Sequence, residues 1–319
     1  MRIEYTGVCD LNGPLLTVEG VRGVAYDEMA EIVTKDGQVR SGRVIMIDGD
    51  RAVLQVFEGT KGISLEKNSV HFQGKPMELS LSREMLGRVF SGAGRPIDGL
   101  GEIFPEEKRD INGLAMNPVA RQYPRNCIYT GISAIDCMAT LIRGQKLPIF
   151  SGAGMSHNQL AAQIVRQAKV GSQDEKFGIV FAGMGLKKDA ADFFKKDFED
   201  SSALQRVVMF LNEASDPIIE RILTPRCALT AAEYLAFTHG MHILVIMTDM
   251  TAYCEALREF SSSKNEIPSR KGYPSYLYSD LASLYERAGM LEGQPGSVTQ
   301  VPILTMPNDD ITHPVPDLT

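Results

Sequence analysis

A glycine-containing loop between residues 151 and 158 carries the clearest chemical pattern in the sequence, because it separates an apolar run from an amphipathic segment. Phosphate-binding loops have this order: a buried strand, a glycine turn whose N–H groups wrap the phosphates, and a helix. In such loops a lysine reaches the terminal phosphates and a Ser or Thr hydroxyl binds magnesium. The loop residues here are Ser151, Gly152, Ala153, Gly154, Met155, Ser156, His157 and Asn158.

This loop keeps the architecture of a phosphate site and lacks its chemistry. Where the pattern G-x-x-x-x-G-K-[ST] would fall, Ser151 and Ser156 replace the two glycines. His157 replaces the lysine, and Asn158 replaces the Ser or Thr. A neutral imidazole lacks the permanent charge of lysine, and an amide is a poorer magnesium ligand than a hydroxyl. We therefore predict a degenerate phosphate loop, although by itself the segment is equally typical of a glycine-rich turn before a helix.

Three other strand ends bear on the same chemistry. Asp249 ends the apolar run 242–249, where an acidic residue can face magnesium, and we predict a Walker-B-like position there. The segment 181–189 has a form that could present a carboxylate base to water, but Leu186 stands at its tip. Glu213 follows the next apolar run, and without a working phosphate loop beside it we favour a structural or interface role.

The elements that must position these residues alternate between strands and helices. Apolar strand-sized runs followed by amphipathic segments are typical of a parallel sheet covered by helices on both faces. Ligands of such sheets lie beyond the carboxyl ends of the strands, which is where the loops above fall. The predicted strands are 146–150, 177–183, 206–211, 242–249 and 298–306, and the predicted helices are 158–168, 188–198, 216–237 and 251–260.

The first 75 residues have a different pattern, with short runs rich in β-branched residues and frequent turn signals. The runs 39–48 and 51–57 flank Asp48-Gly49-Asp50, which is typical of a hairpin turn. Strands this short predict a small all-β barrel or sandwich. The Gly- and Pro-rich passage 87–105 predicts a loop at the domain border, and the first SGAG sequence at 91–94 predicts a turn.

Composition excludes several classes of protein. The chain has 319 residues, 44% hydrophobic and 23% charged, with a formal net charge of −7, so it has no general basic field for nucleic acid. No apolar run approaches the ~20 residues that span a bilayer. Five scattered cysteines without a C-x-x-C pair suit a reducing cytoplasm and predict neither a disulfide framework nor a metal site.

Long segments of the chain resemble the B subunit of V-type ATPases from bacteria and archaea. The resemblance covers essentially the whole chain and is carried by residues 85–99, 130–154, 224–237, 243–261, 273–289 and 296–319. It implies a fold of the α/β class: an N-terminal small β-barrel over residues 1–75, then a RecA-like P-loop-type nucleotide-binding domain over residues 76–319 with a mostly parallel sheet.

The resemblance also implies a cytoplasmic head, peripheral to the membrane, in which three catalytic A subunits alternate with three B subunits around central stalk subunits. Such a head couples ATP hydrolysis or synthesis to proton or sodium transport and meets the membrane only through the assembled complex. The B subunit does not hydrolyse ATP itself, and ATP or ADP with Mg lies at the interface with the A subunit. The acid of the catalytic Gly-Glu-Arg loop would fall at Leu186, which agrees with the degenerate phosphate loop.

Members of this family continue past residue 319 with an arginine that reaches the neighbour's site and with a helical C-terminal domain. We therefore expect a chain truncated before that domain, with an incomplete nucleotide domain and an unpaired sheet edge after the run 298–306. The segment 267–280 is a predicted contact with a partner subunit, because tyrosine and arginine dominate interface energies. Its interface candidates are Arg270, Tyr273 and Tyr276.

Three alternative interpretations remain open on the sequence. An autonomous hexameric ATPase of the type III secretion or flagellar export kind would need the Lys and Thr that His157 and Asn158 displace. A Rho-like nucleic-acid translocase is disfavoured by the acidic balance. A structural fragment without a working partner is the third interpretation. We expect no independent ATPase activity.

Overall fold

The first part of the chain is a small antiparallel barrel. The computed structural model describes residues 4–65, 68–113, 116–171 and 175–319. The barrel strands are β1 (Val8–Asn12), β2 (Leu15–Glu19), β3 (Met29–Val33), β4 (Val39–Asp48), β5 (Arg51–Val56) and β6 (Ser69–Phe72). They form one sheet in the order β1-β2-β5-β4-β3-β6. A backbone bridge between Tyr5 and Val70 joins the segment before β1 to β6, so the sheet closes on itself.

The β4–β5 hairpin shows why these residues form a barrel. Asp48 pairs with Arg51 across a tight turn. Gly49 in that turn has a φ of +60°, a conformation that glycine adopts without a steric penalty. Alternate side chains then point inward, and Val44 and Leu54 are fully buried. The predicted barrel and hairpin are confirmed.

The second part of the chain is built on a mostly parallel sheet. Its strands and two short ribbons are β7 (Glu78–Leu81), β8 (Val89–Ser91), β9 (Glu107–Asp110), β10 (Ile128–Tyr129), β11 (Ile149–Ser151), β12 (Lys169–Val170), β13 (Phe177–Leu186), β14 (Val207–Glu213), β15 (His242–Thr248), β16 (Gly289–Met290) and β17 (Ser297–Thr305). Six strands run parallel in the order β11-β17-β15-β13-β14-β8, and β16 adds to β17 in the antiparallel direction. The ribbons pair β7 with β9 and β10 with β12.

Helices cover both faces of this sheet because both faces are apolar. In β13, Ile179 and Phe181 belong to one core cluster, and Val180 and Ala182 belong to the other. Parallel strands that are buried on both sides require a helical layer above and below. The helices are α1 (Ser133–Met138), α2 (His157–Gln167), α3 (Lys188–Asp200), α4 (Ile218–Phe237), α5 (Met250–Ser263), α6 (Leu277–Tyr285) and α7 (Pro314–Leu318).

The barrel packs on the helical layer that contains α4 and α5. Leu15 and Phe57 of the barrel lie in the same core cluster as Leu223 of α4 and Leu257 of α5. The rest of the barrel interior forms a separate cluster of its own. The two parts of the chain therefore share an apolar contact, which fixes the barrel against one helical face of the parallel sheet.

Two expectations about the sheet were wrong. The passage 87–105 is not only a loop, because Val89–Ser91 forms the edge strand β8 beside β14. Strand β17 has no unpaired edge, since it lies between β11 and β15. The expected turn after β8 is confirmed, with the Gly94 N–H donating to the Ser91 carbonyl at 2.9 Å. None of the helices in the described part of the chain is both long and apolar enough to cross a membrane.

Candidate functional site: the glycine loop at the carboxyl end of the sheet

The glycine loop of residues 151–158 connects β11 to α2, as the sequence predicted. The Met306 N–H donates to the Ser151 carbonyl at 2.8 Å, so the loop starts beside the end of β17. Gly154 turns the chain with a φ of +76°, and a Cβ added there would meet no other atom within 4 Å. Helix α2 begins at His157, one residue before the predicted start. The loop has the strand, turn and helix order of a phosphate loop.

The side chains at the two diagnostic positions face the protein. Ser151 is 4% exposed, and its hydroxyl lies 3.3 Å from Nδ1 of His157. The Oδ1 atom of Asn158 is buried without a hydrogen-bond partner in the described part of the chain. Neither side chain supplies a permanent positive charge, so a terminal phosphate at this loop would have no lysine-like partner from these positions.

An aspartate occupies the loop amide that a phosphate would use. Asp309 follows β17, and its Oδ1 accepts a hydrogen bond from the Ala153 N–H at 2.8 Å. The same oxygen lies 3.0 Å from where a Cβ of Gly152 would be, so a side chain at that position would crowd the carboxylate. Asn308 and Asp309 both have positive φ values, which direct the chain back toward the loop. The loop therefore already holds an anionic group.

The sequence analysis missed Asp309. The signal was the acidic pair Asp309-Asp310, which follows the apolar run 298–306 after two residues and so lies near the carboxyl end of a strand that neighbours β11. The residues present do not fit a catalytic ATP–Mg²⁺ group, because the cationic position holds His157 and the amide binds a carboxylate. The described residues also contain no group of three or more His, Cys, Asp or Glu side chains that could hold a metal ion.

Asp249 lies at the end of β15 and makes contacts within its own chain. Its Oδ1 accepts hydrogen bonds from the Thr251 N–H at 2.8 Å and from the Thr305 N–H at 3.2 Å. Its Oδ2 accepts from the Thr305 hydroxyl at 2.7 Å. In this arrangement the carboxylate caps α5 and joins the end of β15 to the end of β17. The Walker-B-like role of Asp249 stays a prediction.

The segment 181–189 does not form the expected loop at Leu186, because β13 continues to that residue. Leu186, the last residue of the strand, is 6% exposed and packs in the core beside Gly183. Asn212, to which the sequence pattern assigned no role, holds the end of β13 by accepting a hydrogen bond from the Gly185 N–H at 3.1 Å. Its Oδ1 also accepts from Nε of Arg221 at 2.9 Å, which orders the strand end. Burial lowers the pKa of Arg221.

The predicted interface segment 267–280 is held to the rest of the chain by one buried tyrosine. Tyr273 is 2% exposed, and its hydroxyl donates to Glu255. Arg270 is exposed and donates to Oδ2 of Asp317 at 2.7 Å. Tyr276 is partly buried and lines a cavity against the barrel. Of the three candidates, Arg270 is therefore the one whose side chain lies on the surface of the chain.

Comparison with known protein families matches both parts of the fold. Residues 8–74 match the beta-barrel domain of the ATP synthase alpha/beta family. Residues 131–319 match the nucleotide-binding domain of the same family. These matches agree with the predicted order of a barrel followed by a nucleotide-binding domain.

Two curated relatives extend this similarity along the chain. The V-type ATP synthase beta chain 2 of Clostridium tetani is 65% identical over 321 residues, which cover 100% of this chain and 70% of the relative. The V-type ATP synthase beta chain of Halothermothrix orenii is 65% identical over 316 residues, which cover 99% of this chain and 68% of the relative. The resemblance found in the sequence is confirmed: the chain belongs to the ATP synthase alpha/beta family, among its V-type beta chains.

Proposed function

We propose that this chain is the non-catalytic B subunit of a rotary V-type ATPase or ATP synthase head. Its family and its V-type relatives support membership of such a head, which couples ATP hydrolysis or synthesis to ion transport. In this proposal the chain alternates with catalytic A subunits around central stalk subunits, with ATP or ADP and Mg at the interface. The head lies on the cytoplasmic face of the membrane, and residues 1–75 and 76–319 are its two domains in this chain.

The state of the glycine loop supports the non-catalytic part of this proposal most directly. The Ala153 amide already binds the carboxylate of Asp309 at 2.8 Å. His157 stands in the lysine position, and Leu186 is buried in the core at the end of β13. A phosphate placed here would meet a negative charge without a compensating lysine, and an attacking water would meet an apolar side chain. These features favour a supporting role at an interface over turnover in this chain.

Hydrolysis by the purified chain tests the proposal. We expect no magnesium-dependent ATP turnover above buffer, because the loop lacks the groups that stabilise charge on the transferred phosphoryl group. Hydrolysis that copurifies with the isolated chain through several columns would contradict the non-catalytic assignment and favour an autonomous ATPase.

A series of variants tests whether the residue types of the glycine loop limit nucleotide binding. His157→Lys with Asn158→Thr restores the residue types of a working phosphate loop, and Asp309→Ala frees the amide. We expect the triple variant to bind ADP more tightly than the unchanged chain, which would mean that the residue types of the loop, and not its architecture, limit binding. Equal ADP affinity in all variants would mean that the loop is only a turn.

We also propose that the segment 267–280 contacts a partner subunit. Arg270 and Tyr276 remain the candidates on this segment, and Tyr278 next to them is 65% exposed. Tyr273 supports the segment from inside, with Arg258 5.6 Å from its ring and His313 5.6 Å away in an edge-to-face contact. Aromatic and arginine side chains on an exposed segment are the residue types that dominate interface energies.

A pair of tyrosine variants separates contact from support. Tyr278→Ala should weaken assembly with a catalytic subunit and leave the melting temperature of the isolated chain unchanged. Tyr273→Ala, the matched comparison, should lower the melting temperature, because it removes a buried ring. Size-exclusion yield of the complex and thermal melting of the chain measure the two effects. If neither Tyr278→Ala nor Arg270→Ala lowers the yield of the complex relative to the unchanged chain, the segment does not contact the partner and this part of the proposal is wrong.

A further inference from the structure

We propose that the cavity between the barrel and the nucleotide domain binds a small oxyanion, a phosphate or carboxylate group, between Arg43 and Arg226. The cavity has a volume of about 540 Å³. This site is separate from the glycine loop, and the inference does not depend on the proposed function.

The two arginines come from different parts of the fold. Arg43 lies on β4 of the barrel, and Arg226 lies on α4 of the nucleotide domain. Both line the cavity, although their side chains are only 16% and 15% exposed. Lys264, which follows α5, is a third cation in the lining. Cationic groups from both domains therefore line one cavity that is partly open to solvent.

The acidic side chains of the cavity already have partners. One oxygen of Asp27 accepts a hydrogen bond from Nη1 of Arg43 at 3.3 Å, and the other accepts from Nδ2 of Asn112 at 2.8 Å. One oxygen of Asp280 accepts from Nη2 of Arg226 at 2.7 Å, and the other accepts from the Tyr253 hydroxyl. Each oxygen of these two carboxylates is thus hydrogen-bonded within the chain.

The third acid of the lining, Glu266, is also engaged. Its Oε2 accepts from the Ser261 hydroxyl at 2.7 Å, and its Oε1 lies 3.5 Å from the ammonium group of Lys264. All three acidic side chains of the cavity are therefore occupied by protein donors. An incoming cation would have to compete with these donors for every oxygen.

Donors, in contrast, remain in excess. An arginine has five N–H donors. Arg43 uses Nε toward Oε1 of Gln55 at 2.8 Å and Nη1 toward Asp27, and its Nη2 has no hydrogen-bond partner in the described part of the chain. Arg226 uses Nη2 toward Asp280, and its guanidinium also lies beside Tyr253. The unused hydrogen-bonding capacity consists of donors, which suits an acceptor-rich anion.

The charges favour the same ligand class. Burial lowers the pKa of Arg43, and the positive charge of Arg226 lowers it further, against the opposing effect of Asp27. Each guanidinium group already pairs with one carboxylate, and an anion between the two groups would offset the repulsion that remains between them. Such an anion would receive charge-assisted hydrogen bonds from both domains. It would therefore link the barrel to the nucleotide domain and stabilise their relative position.

Titration of the full chain with inorganic phosphate tests this site. Calorimetry should show saturable binding, and the melting temperature should rise relative to sodium chloride at equal ionic strength, because a ligand that binds only the folded state stabilises it. Arg43→Gln should weaken phosphate binding at least tenfold, and Lys264→Gln should weaken it less. Arg51→Gln is the matched control, since Arg51 is an exposed barrel arginine that pairs with Glu19 outside this cavity.

Soaking crystals of the chain with tungstate locates the anion independently. We expect density between Arg43 and Arg226, and a carboxylate such as citrate should compete with phosphate in solution. If Arg43→Gln does not fold, Lys264→Gln and the tungstate position decide the question. Phosphate binding that is unchanged in both variants, or tungstate found only at the glycine loop, would overturn the inference.

Discussion

Removing the carboxylate of Asp309 should increase the affinity of the glycine loop for phosphate groups. We take about 4 Å as the separation between this carboxylate and an anion that displaces it from the Ala153 N–H. At that distance two unit charges repel by roughly 1 kcal/mol at the dielectric constant of water and by about 4 kcal/mol at an effective value of 20. Asp309 is exposed, so the lower part of this range applies. We expect Asp309→Ala to make the free energy of pyrophosphate binding about 1–2 kcal/mol more favourable, which lowers the dissociation constant roughly 5- to 30-fold.

The assay is calorimetric titration with pyrophosphate at low ionic strength, for Asp309→Ala and for the same change in a His157→Lys background. Asp309→Asn should gain less, because its amide oxygen can still accept from Ala153. Asp310→Asn is a control, since Asp310 contacts Lys271 at 3.2 Å and not the loop. If Asp309→Ala leaves pyrophosphate affinity unchanged in both backgrounds, the carboxylate does not compete for the loop and our account of it fails.

Two further predictions concern the fold. Val56 is fully buried in the barrel core, so Val56→Asp should lower the free energy of unfolding by on the order of 3–5 kcal/mol. Val53 is half-buried, so Val53→Asp should lower it less. Identical melting temperatures for the two variants would contradict this packing. Burial alone would raise the pKa of Asp98, but hydrogen bonds from Arg88 and from the Leu100 and Val89 amides lower it to about 2 from 3.8. This carboxylate therefore stabilises the fold above pH 4, by on the order of 1–2 kcal/mol, and the stabilisation is lost as the pH falls toward 2. The melting difference between the unchanged chain and Asp98→Asn should disappear over that range, and a constant difference would refute the assignment.

Local patterns determined most of the secondary structure. The predicted hairpin strands at 39–48 and 51–57 correspond to Val39–Asp48 and Arg51–Val56, because β-branched residues and a glycine turn act over neighbouring residues. The runs 177–183 and 242–249 are likewise strands of the parallel sheet. Strand β8 was missed because it has only three residues and lies among glycines and prolines, so that its pairing with β14 decides its conformation.

The candidate site was predictable in position and not in its contacts. The order of strand, glycine turn and helix located the loop at 151–158, and the residue types there indicated the loss of lysine. Asp309 is 156 residues away from Ala153 in the chain, so no local pattern could place its carboxylate on that amide. The burial of Tyr273 was missed for the same reason, because its contacts with Glu255 and His313 depend on how α5 and the last segment pack.

The sequence by itself determined the two-part fold and the absence of the phosphate-loop lysine and Ser or Thr at residues 151–158, because both depend on residue type and near-neighbour spacing. The tertiary structure alone decided which groups meet. It brought Asp309 to the loop and placed Arg43 of the barrel opposite Arg226 of α4 around one cavity. Those contacts join residues far apart in the chain, and their energies depend on distance and burial, which only the packing of the two domains sets.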